Sequence, residues 1–248
     1  MLIFAHRGAS SEAPENTLEA FQIAIERGVD GIEIDVHAVE DELYVIHDRW
    51  LHRTTSGSGR VKDQSKAIMA LLDAGNGQVV PTLWQTLQCI NGACVLNIEL
   101  KGISDVLPVL QHIDRAVNEL DFRLEQFILS SFNHHLLFNV KQLRPSIQIG
   151  ALTASCPLDY AAFAQQLNAY SVHIDIDCLS ADFVFDAHQR GLPVYVYTVD
   201  EIEDLDDMAA MGVNGVFTNV PSRALVRRAH HLQTAEAQPS PLSYSSQS

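Results

Sequence analysis

Short apolar runs alternate with longer amphipathic stretches along almost the whole chain, and this rhythm limits the fold more than any other feature. Leu2 to Ala5 is a β-type run. Thr17 to Arg27 follows, with Leu18, Ala20, Phe21, Ala24 and Ile25 at helical spacing. Asn16 with Glu19 reads as a capping box at its start, and Gly28 fits its end. Further strands are expected at 31–36, 94–100, 127–130, 147–152, 171–176, 193–199 and 215–218. Helices are expected at 81–90 (Thr82 as N-cap), 105–120, 133–143, 158–167, 181–190, 202–211 and 222–229. Regular βα alternation argues for parallel strands with helices outside. Eight such units in about 230 residues are what a (β/α)8 TIM barrel requires. A doubly wound open sheet is the alternative.

One region breaks the rhythm. Leu43 to Ile46 reads as a hairpin return, and 52–77 is rich in Gly, Ser, Thr and Lys with weaker periodicity. It reads as a small insertion after the second strand, and its Ser56-Gly57-Ser58-Gly59-Arg60 segment as a flexible loop. The expected organisation is one catalytic domain over 1–229. The stretch 230–248, rich in Ser, Gln, Ala and Pro, is expected to be a disordered tail.

Charge narrows the partners. Among 248 residues, 16 are Lys or Arg and 31 Asp or Glu, a net −15. Such a surface repels nucleic-acid backbones and anionic bilayers. The apolar runs are too short to insert stably in a membrane. A small phosphorylated substrate stays open, because a metal or Arg reverses the field inside a cleft. Cys89, Cys94, Cys156 and Cys178 show no CxxC spacing, and the N-terminus lacks a signal-peptide pattern. A cytoplasmic chain with free thiols is expected.

The polar residues that interrupt the pattern fall at strand ends: His6-Arg7, Glu33 and Asp35, His47-Asp48, Glu99 and Lys101, Ser130 and Ser131, then Tyr197, Thr198 and Asp200. On one barrel they share the C-terminal rim, where such folds carry chemistry. Glu33 and Asp35 point to one face of their strand. With Glu99 they make three hard oxygen donors without Cys, which favours Mg²⁺ or Ca²⁺ over zinc. The alternative is a set of surface acids paired with Arg7 and Lys101. His6 and His47 are acid–base candidates, since an imidazole exchanges protons near neutral pH. Either one alone reads more often as a satisfied structural histidine. The other nine histidines, His134-His135 and His230-His231 included, read as helix surface or tail. Arg7 and Lys101 are the cations for an oxyanion, or simple ion-pair partners. Phosphate loops of the GxxxxGK[ST] type, GxSxG and HExxH are absent.

These residues stand in a familiar order. His6-Arg7-Gly8-Ala9, Pro14-Glu15-Asn16-Thr17, Glu33-Ile34-Asp35-Val36, His47-Asp48 and Glu99-Leu100-Lys101 resemble the motifs of glycerophosphodiester phosphodiesterases. Tyr197-Thr198-Val199-Asp200 and the run from Gly212 to Pro221 extend the resemblance to nearly the whole chain. It implies a TIM barrel with an insertion after the second strand. It implies metal ligands Glu33, Asp35 and Glu99, the acid–base pair His6 and His47, and phosphate contacts from Arg7 and Lys101. It implies cleavage of a glycerophosphodiester into sn-glycerol 3-phosphate and an alcohol.

The chain departs from the family pattern at two places. Tyr-Thr-Val-Asp stands where the family usually has Trp-Thr-Val-Asn, so Tyr197 keeps a smaller aromatic substrate wall. Thr218-Asn219 stands where Thr-Asp is common. The same chemistry on lysophospholipids, as a lysophospholipase D, is a second reading. It needs an apolar groove, for which the insertion and the region of Phe183 and Phe185 are candidates. A non-catalytic barrel that binds a phosphorylated ligand is a third.

Overall fold

The computed structural model describes residues 1–236, with side chains through His230. In chain order it forms β1 (Leu2–His6), α1 (Leu18–Arg27), β2 (Gly31–Val39), β3 (Glu42–Val45), α2 (Lys66–Met69), α3 (Leu83–Ile90), β4 (Val95–Gly102) and α4 (Leu107–Glu119). There follow β5 (Phe127–Ser131), α5 (His134–Leu143), β6 (Gln148–Thr153), α6 (Ala162–Gln166), β7 (Ser171–Asp175) and α7 (Ala181–Gln189). The last elements are β8 (Val194–Tyr197), α8 (Ile202–Met211), β9 (Gly215–Thr218) and α9 (Pro221–Glu236). Eight strands pair in parallel in the order β1-β9-β8-β7-β6-β5-β4-β2, and β1 pairs with β2 to close the ring. This is the (β/α)8 barrel, and the open doubly wound sheet is excluded. The extra strand, β3, returns antiparallel on the outer half of β2.

Alternation along the strands divides the core in two. Ile3, Ala5, Ile32, Ile34, Leu96, Ile98 and their counterparts face outward and are buried under the helices. Inside the ring, Phe4, Ile128, Tyr195 and Phe217 form an apolar floor. The Phe4 ring lies 5.3 Å from Tyr195 and 5.0 Å from Phe217. Two residues further along the same strands come His6, Ser130 and Tyr197. Polar side chains therefore sit on a packed aromatic and aliphatic base.

Several ends differ from the sequence expectation. Thr17, not Asn16, caps α1, accepting from the Ala20 N–H. Asn16 is instead buried and committed to Asp35, described below. Thr82 caps α3 in a full capping box with Gln85, as the pattern predicts. The helix expected at 158–167 is confined to Ala162–Gln166. The last helix runs through Glu236, past the expected boundary at 229. Residues 237–248 of the expected tail lie outside the described residues.

The insertion packs around its own small core of Val39, Tyr44, Ile46, Leu51, Val61, Met69, Leu72, Ala74 and Val80. The Ser56–Arg60 segment, expected to be a flexible loop, is tied at both ends. Trp50 bridges to Arg60, and the Ser56 N–H donates to the Asp73 carbonyl at 2.8 Å. Among the described residues, no helix is long and apolar enough to cross a membrane.

Candidate active site

Strand register assembles the rim. His6 lies beside Glu33 across β1 and β2. Glu33 lies beside Asn97, and Asp35 beside Glu99, across β2 and β4. Glu99 lies beside Ser130 on β5. Inward-facing positions two residues apart thus meet without any loop having to bring them together. Glu33, Asp35 and Glu99 each present a carboxylate oxygen, all within 4.8 Å of one another.

These acids are not on the surface. Asp35 is 0 % and Glu33 3 % exposed. Burial, then the charges of Asp35 and Glu99, push the Glu33 carboxyl well above its usual range. Burial and Asp35 push Glu99 up to about 7. Asp35 goes the other way. Burial would raise it, but Lys101, His47 and Arg7, with the Asn16 hydrogen bond, together hold it down. The carboxylates do pair with the cations: Lys101 Nζ is 2.9 Å from Glu99 and 3.5 Å from Asp35, and Arg7 Nε is 3.4 Å from Asp35. The pairing is incomplete. Glu33 Oε1, Asp35 Oδ1 and Asn97 Oδ1 are buried with no hydrogen-bond partner. Buried acceptors without donors are costly, and a cation satisfies them. The cluster therefore fits a divalent ion.

Both histidines are held by polar neighbours that set where the proton sits. Asp200, which can only accept, takes the Asn219 amide N–H at 2.7 Å. The Asn219 oxygen is thereby turned to His6 Nδ1 at 2.8 Å. Neutral His6 donates from Nδ1 and leaves Nε2 bare, 3.9 Å from Glu33 Oε2. His47 donates from Nδ1 to Asp48 at 2.6 Å, and its Nε2 accepts from Lys101 Nζ at 3.0 Å. Burial, then the Arg7 charge, brings His6 down to about 4. Burial also lowers His47, against the pull of Asp35.

A chain of alternating charges runs outward from the site. Arg7 donates to Glu15 at 3.0 Å, Glu15 accepts from Arg53 at 2.8 and 2.9 Å, and Arg53 donates to Asp48 at 2.5 and 3.0 Å. Arg53 thereby links the insertion to the His47 partner. Asn16 donates to Asp35 Oδ2 at 2.9 Å. Arg7 and Asn16 both adopt the left-handed backbone region, with φ 58° each. That geometry turns the Arg7 N–H onto Glu33 Oε2 at 3.0 Å. Tyr197 stands on the opposite rim, its hydroxyl donating to the Thr153 carbonyl at 2.8 Å and its ring edge-on to Phe132.

All eight residues selected from sequence lie on this rim. Sequence reasoning missed Glu15, Asn16 and Arg53 as parts of it. Glu15 and Asn16 carried a signal in the Pro-Glu-Asn-Thr motif, whereas Arg53 carried none. Two histidines assigned to helix surfaces belong to strands. His37 lies on β2, its Nε2 donating to the His47 carbonyl at 3.1 Å. His173 lies wholly buried on β7. Phe183 is buried with Val184 and Ala187 on α7. It is therefore not available to line a groove, and Phe185 projects from the same helix into solvent.

Comparison with known proteins matches this geometry. The model of the glycerophosphoryl diester phosphodiesterase family covers residues 6–223. The chain is 37 % identical over 230 residues to a glycerophosphodiester phosphodiesterase of Caldanaerobacter subterraneus subsp. tengcongensis, covering 89 % of this chain and 94 % of that one. It is similar to an Oleispira antarctica phosphodiesterase solved in complex with the product sn-glycerol-3-phosphate, with TM-score 0.85 and 26 % identity over 92 % of this chain and 97 % of that one. A putative glycerophosphodiester phosphodiesterase from Galdieria sulphuraria superposes with TM-score 0.82 and 28 % identity, over 91 % and 96 % of the two chains. With nearly its whole length matched in sequence and fold, the chain is a member of the glycerophosphoryl diester phosphodiesterase family.

Proposed function

We propose that the chain hydrolyses glycerophosphodiesters to sn-glycerol 3-phosphate and an alcohol by metal-dependent chemistry with His6 and His47 as acid–base pair. The observation that carries this reading is the meeting of two Nδ1-tethered imidazoles with a buried carboxylate triad and two cations at one rim. The product bound to the Oleispira antarctica relative supports it.

Glu33, Asp35 and Glu99 would hold Mg²⁺ or Ca²⁺, because every donor is a hard oxygen. When bound, such an ion supplies Lewis-acid polarisation and neutralises phosphoryl charge. The rest falls to this chain's own side chains. Arg7 and Lys101 hold the phosphoryl oxygens, Arg7 as a fork and Lys101 as a point charge. One histidine takes the nucleophile's proton at Nε2, and the other returns a proton to the leaving alkoxide. Asn219 and Asp48 keep the rings oriented through Nδ1. Tyr197 with Phe132 forms an aromatic wall against the substrate.

Residues 1–229 act as one catalytic domain in this reading, with 52–77 as the insertion that supplies Arg53. A cytoplasmic location is supported by the free thiols of Cys89, Cys94, Cys156 and Cys178.

The deciding assay is release of glycerol 3-phosphate from glycerophosphocholine by the purified chain, with and without EDTA. Release restored by Mg²⁺ or Ca²⁺ is expected. Undiminished release from a metal-free sample, or none with metal present, overturns the proposal.

A further inference from the structure

A cavity of about 760 Å³ opens between the insertion and the β4 end of the barrel. Its wall includes Arg49, Trp50, Arg60, Lys62, Lys101 and Ser104, and no carboxylate side chain lines it. In a chain of net charge −15, an acid-free wall with four cations is a marked local reversal of sign. Arg7, Arg53 and Lys101 are neutralised by nearby carboxylates. Arg49, Arg60 and Lys62 form no ion pair with any carboxylate among the described residues. Arg60 instead rests over the Trp50 ring, 5.3 Å from its centre, which holds both at the lip.

The cavity adjoins the active site through one shared side chain. Lys101 belongs to both, since its Nζ reaches His47 Nε2 at 3.0 Å and its side chain lines the cavity. If the diester phosphate is held at Lys101, as in the function proposed above, this space adjoins one arm of the diester. Glycerol is uncharged and has no use for three free cations. The other arm can carry charge.

We propose that the cavity takes the alcohol arm of the diester and selects alcohols bearing a second anionic group, a phosphomonoester or carboxylate, over neutral and cationic ones. This rests on the catalytic reading above. Three free cations at the mouth favour an added phosphate by about tenfold or more at low salt. Screening reduces that preference as salt rises.

The test compares glycerophosphoinositol with glycerophosphoinositol 4-phosphate, which differ only by the added phosphate. Each is titrated calorimetrically into the full chain, and turnover is followed separately. At low salt the phosphorylated diester is expected to bind about tenfold tighter. In the Arg49→Ala/Lys62→Ala double variant, and in the parent chain at high salt, the two affinities are expected to converge. Equal affinities in the parent chain, or a ratio unmoved by the double substitution, overturn the inference. Absence of turnover for both diesters with metal present defeats the catalytic reading instead, and the binding ratio still decides the cavity.

Discussion

Asp200 and Asn219 are locked together: Asp200 Oδ1 accepts the Asn219 backbone N–H, and Oδ2 accepts the side-chain N–H, both at 2.7 Å. These are the two positions where the chain departs in charge from the pattern it resembles, and the departures are reciprocal. The acid and the amide have changed places, so the pair survives while His6 faces an amide oxygen. Asn219→Asp alone sets two carboxylates against each other and removes the donor. A loss of about 1–3 kcal/mol in urea unfolding is expected. Adding Asp200→Asn should restore most of it. A double variant no more stable than the single one would falsify the pairing argument.

Alanine at His6 or His47 is expected to lower kcat by about 10²–10⁴-fold, with a smaller change in KM. Arg53→Lys keeps a positive charge but loses the fork that grips Asp48 and Glu15. A drop of about 10–100-fold in kcat/KM is expected, as for other groups that orient a reacting side chain from behind. Steady-state kinetics check both. Full kcat in either alanine variant removes that histidine from the chemistry.

Removing the ion has a readout independent of turnover. Mg²⁺ is expected to raise the melting temperature, by the equivalent of about 2.7 kcal/mol at a hundredfold excess over its dissociation constant. Glu33→Gln should abolish that rise. In metal-free buffer the same variant is expected to melt above the parent, because it removes one of three crowded buried acids. A Mg²⁺-dependent shift that persists in Glu33→Gln places the ion elsewhere.

His173 is expected to make the fold acid-sensitive. It is buried in the barrel beside Tyr195 and Phe217, with Nδ1 unpartnered, and burial brings it down to about 3. The unfolded chain takes up this proton below the ordinary histidine value, 6.5. The folded chain does not until about 3. Its contribution is therefore complete above 6.5 and is lost as pH falls toward 3, approaching about 1.4 kcal/mol per pH unit. Urea unfolding of the parent should lose stability on acidification faster than His173→Gln. Parallel curves contradict this.

Gly150 exists for that ring. A Cβ at this position would meet His173 Cε1 at 2.3 Å and Nε2 at 2.4 Å. Gly150→Ala is expected to cost about 1–3 kcal/mol, and His173→Ser in the same chain to recover much of it. Independent, additive effects of the two substitutions show that they do not touch.

What sequence could show follows from how local each signal is. Glu33 and Asp35 were readable because, with Glu99, they put three acids at converging strand ends, where a pair alone reads as ordinary surface acids. His6 and Glu99 were readable as charged residues at the ends of apolar runs. Asn16 was misread because an Asn before a helix fits a cap as well as it fits a ligand of Asp35. Arg53 depends on partners far along the chain, and a lone Arg in a polar loop resembles any solvated Arg. His173 was missed because inward-facing and outward-facing positions of a strand buried on both sides look alike in sequence. The insertion's core escaped because its apolar residues keep neither helical nor strand period.

The ring closes through Phe4–His6 on Gly31–Glu33, and the pairing of Gly31–Val36 on Val95–Leu100 completes that side of it. None of these bonds involves the stretch between Glu40 and Val80. The insertion is therefore a cassette mounted on a finished barrel, and it contributes Arg60 and Lys62 to the cavity wall. Grafting a different segment in place of 52–77 exchanges Arg60 and Lys62 of the cavity wall, while the strands keep Glu33, Asp35 and Glu99 and the barrel keeps His47 and Asp48. Such a graft needs an arginine placed to hold Asp48, as Arg53 does here.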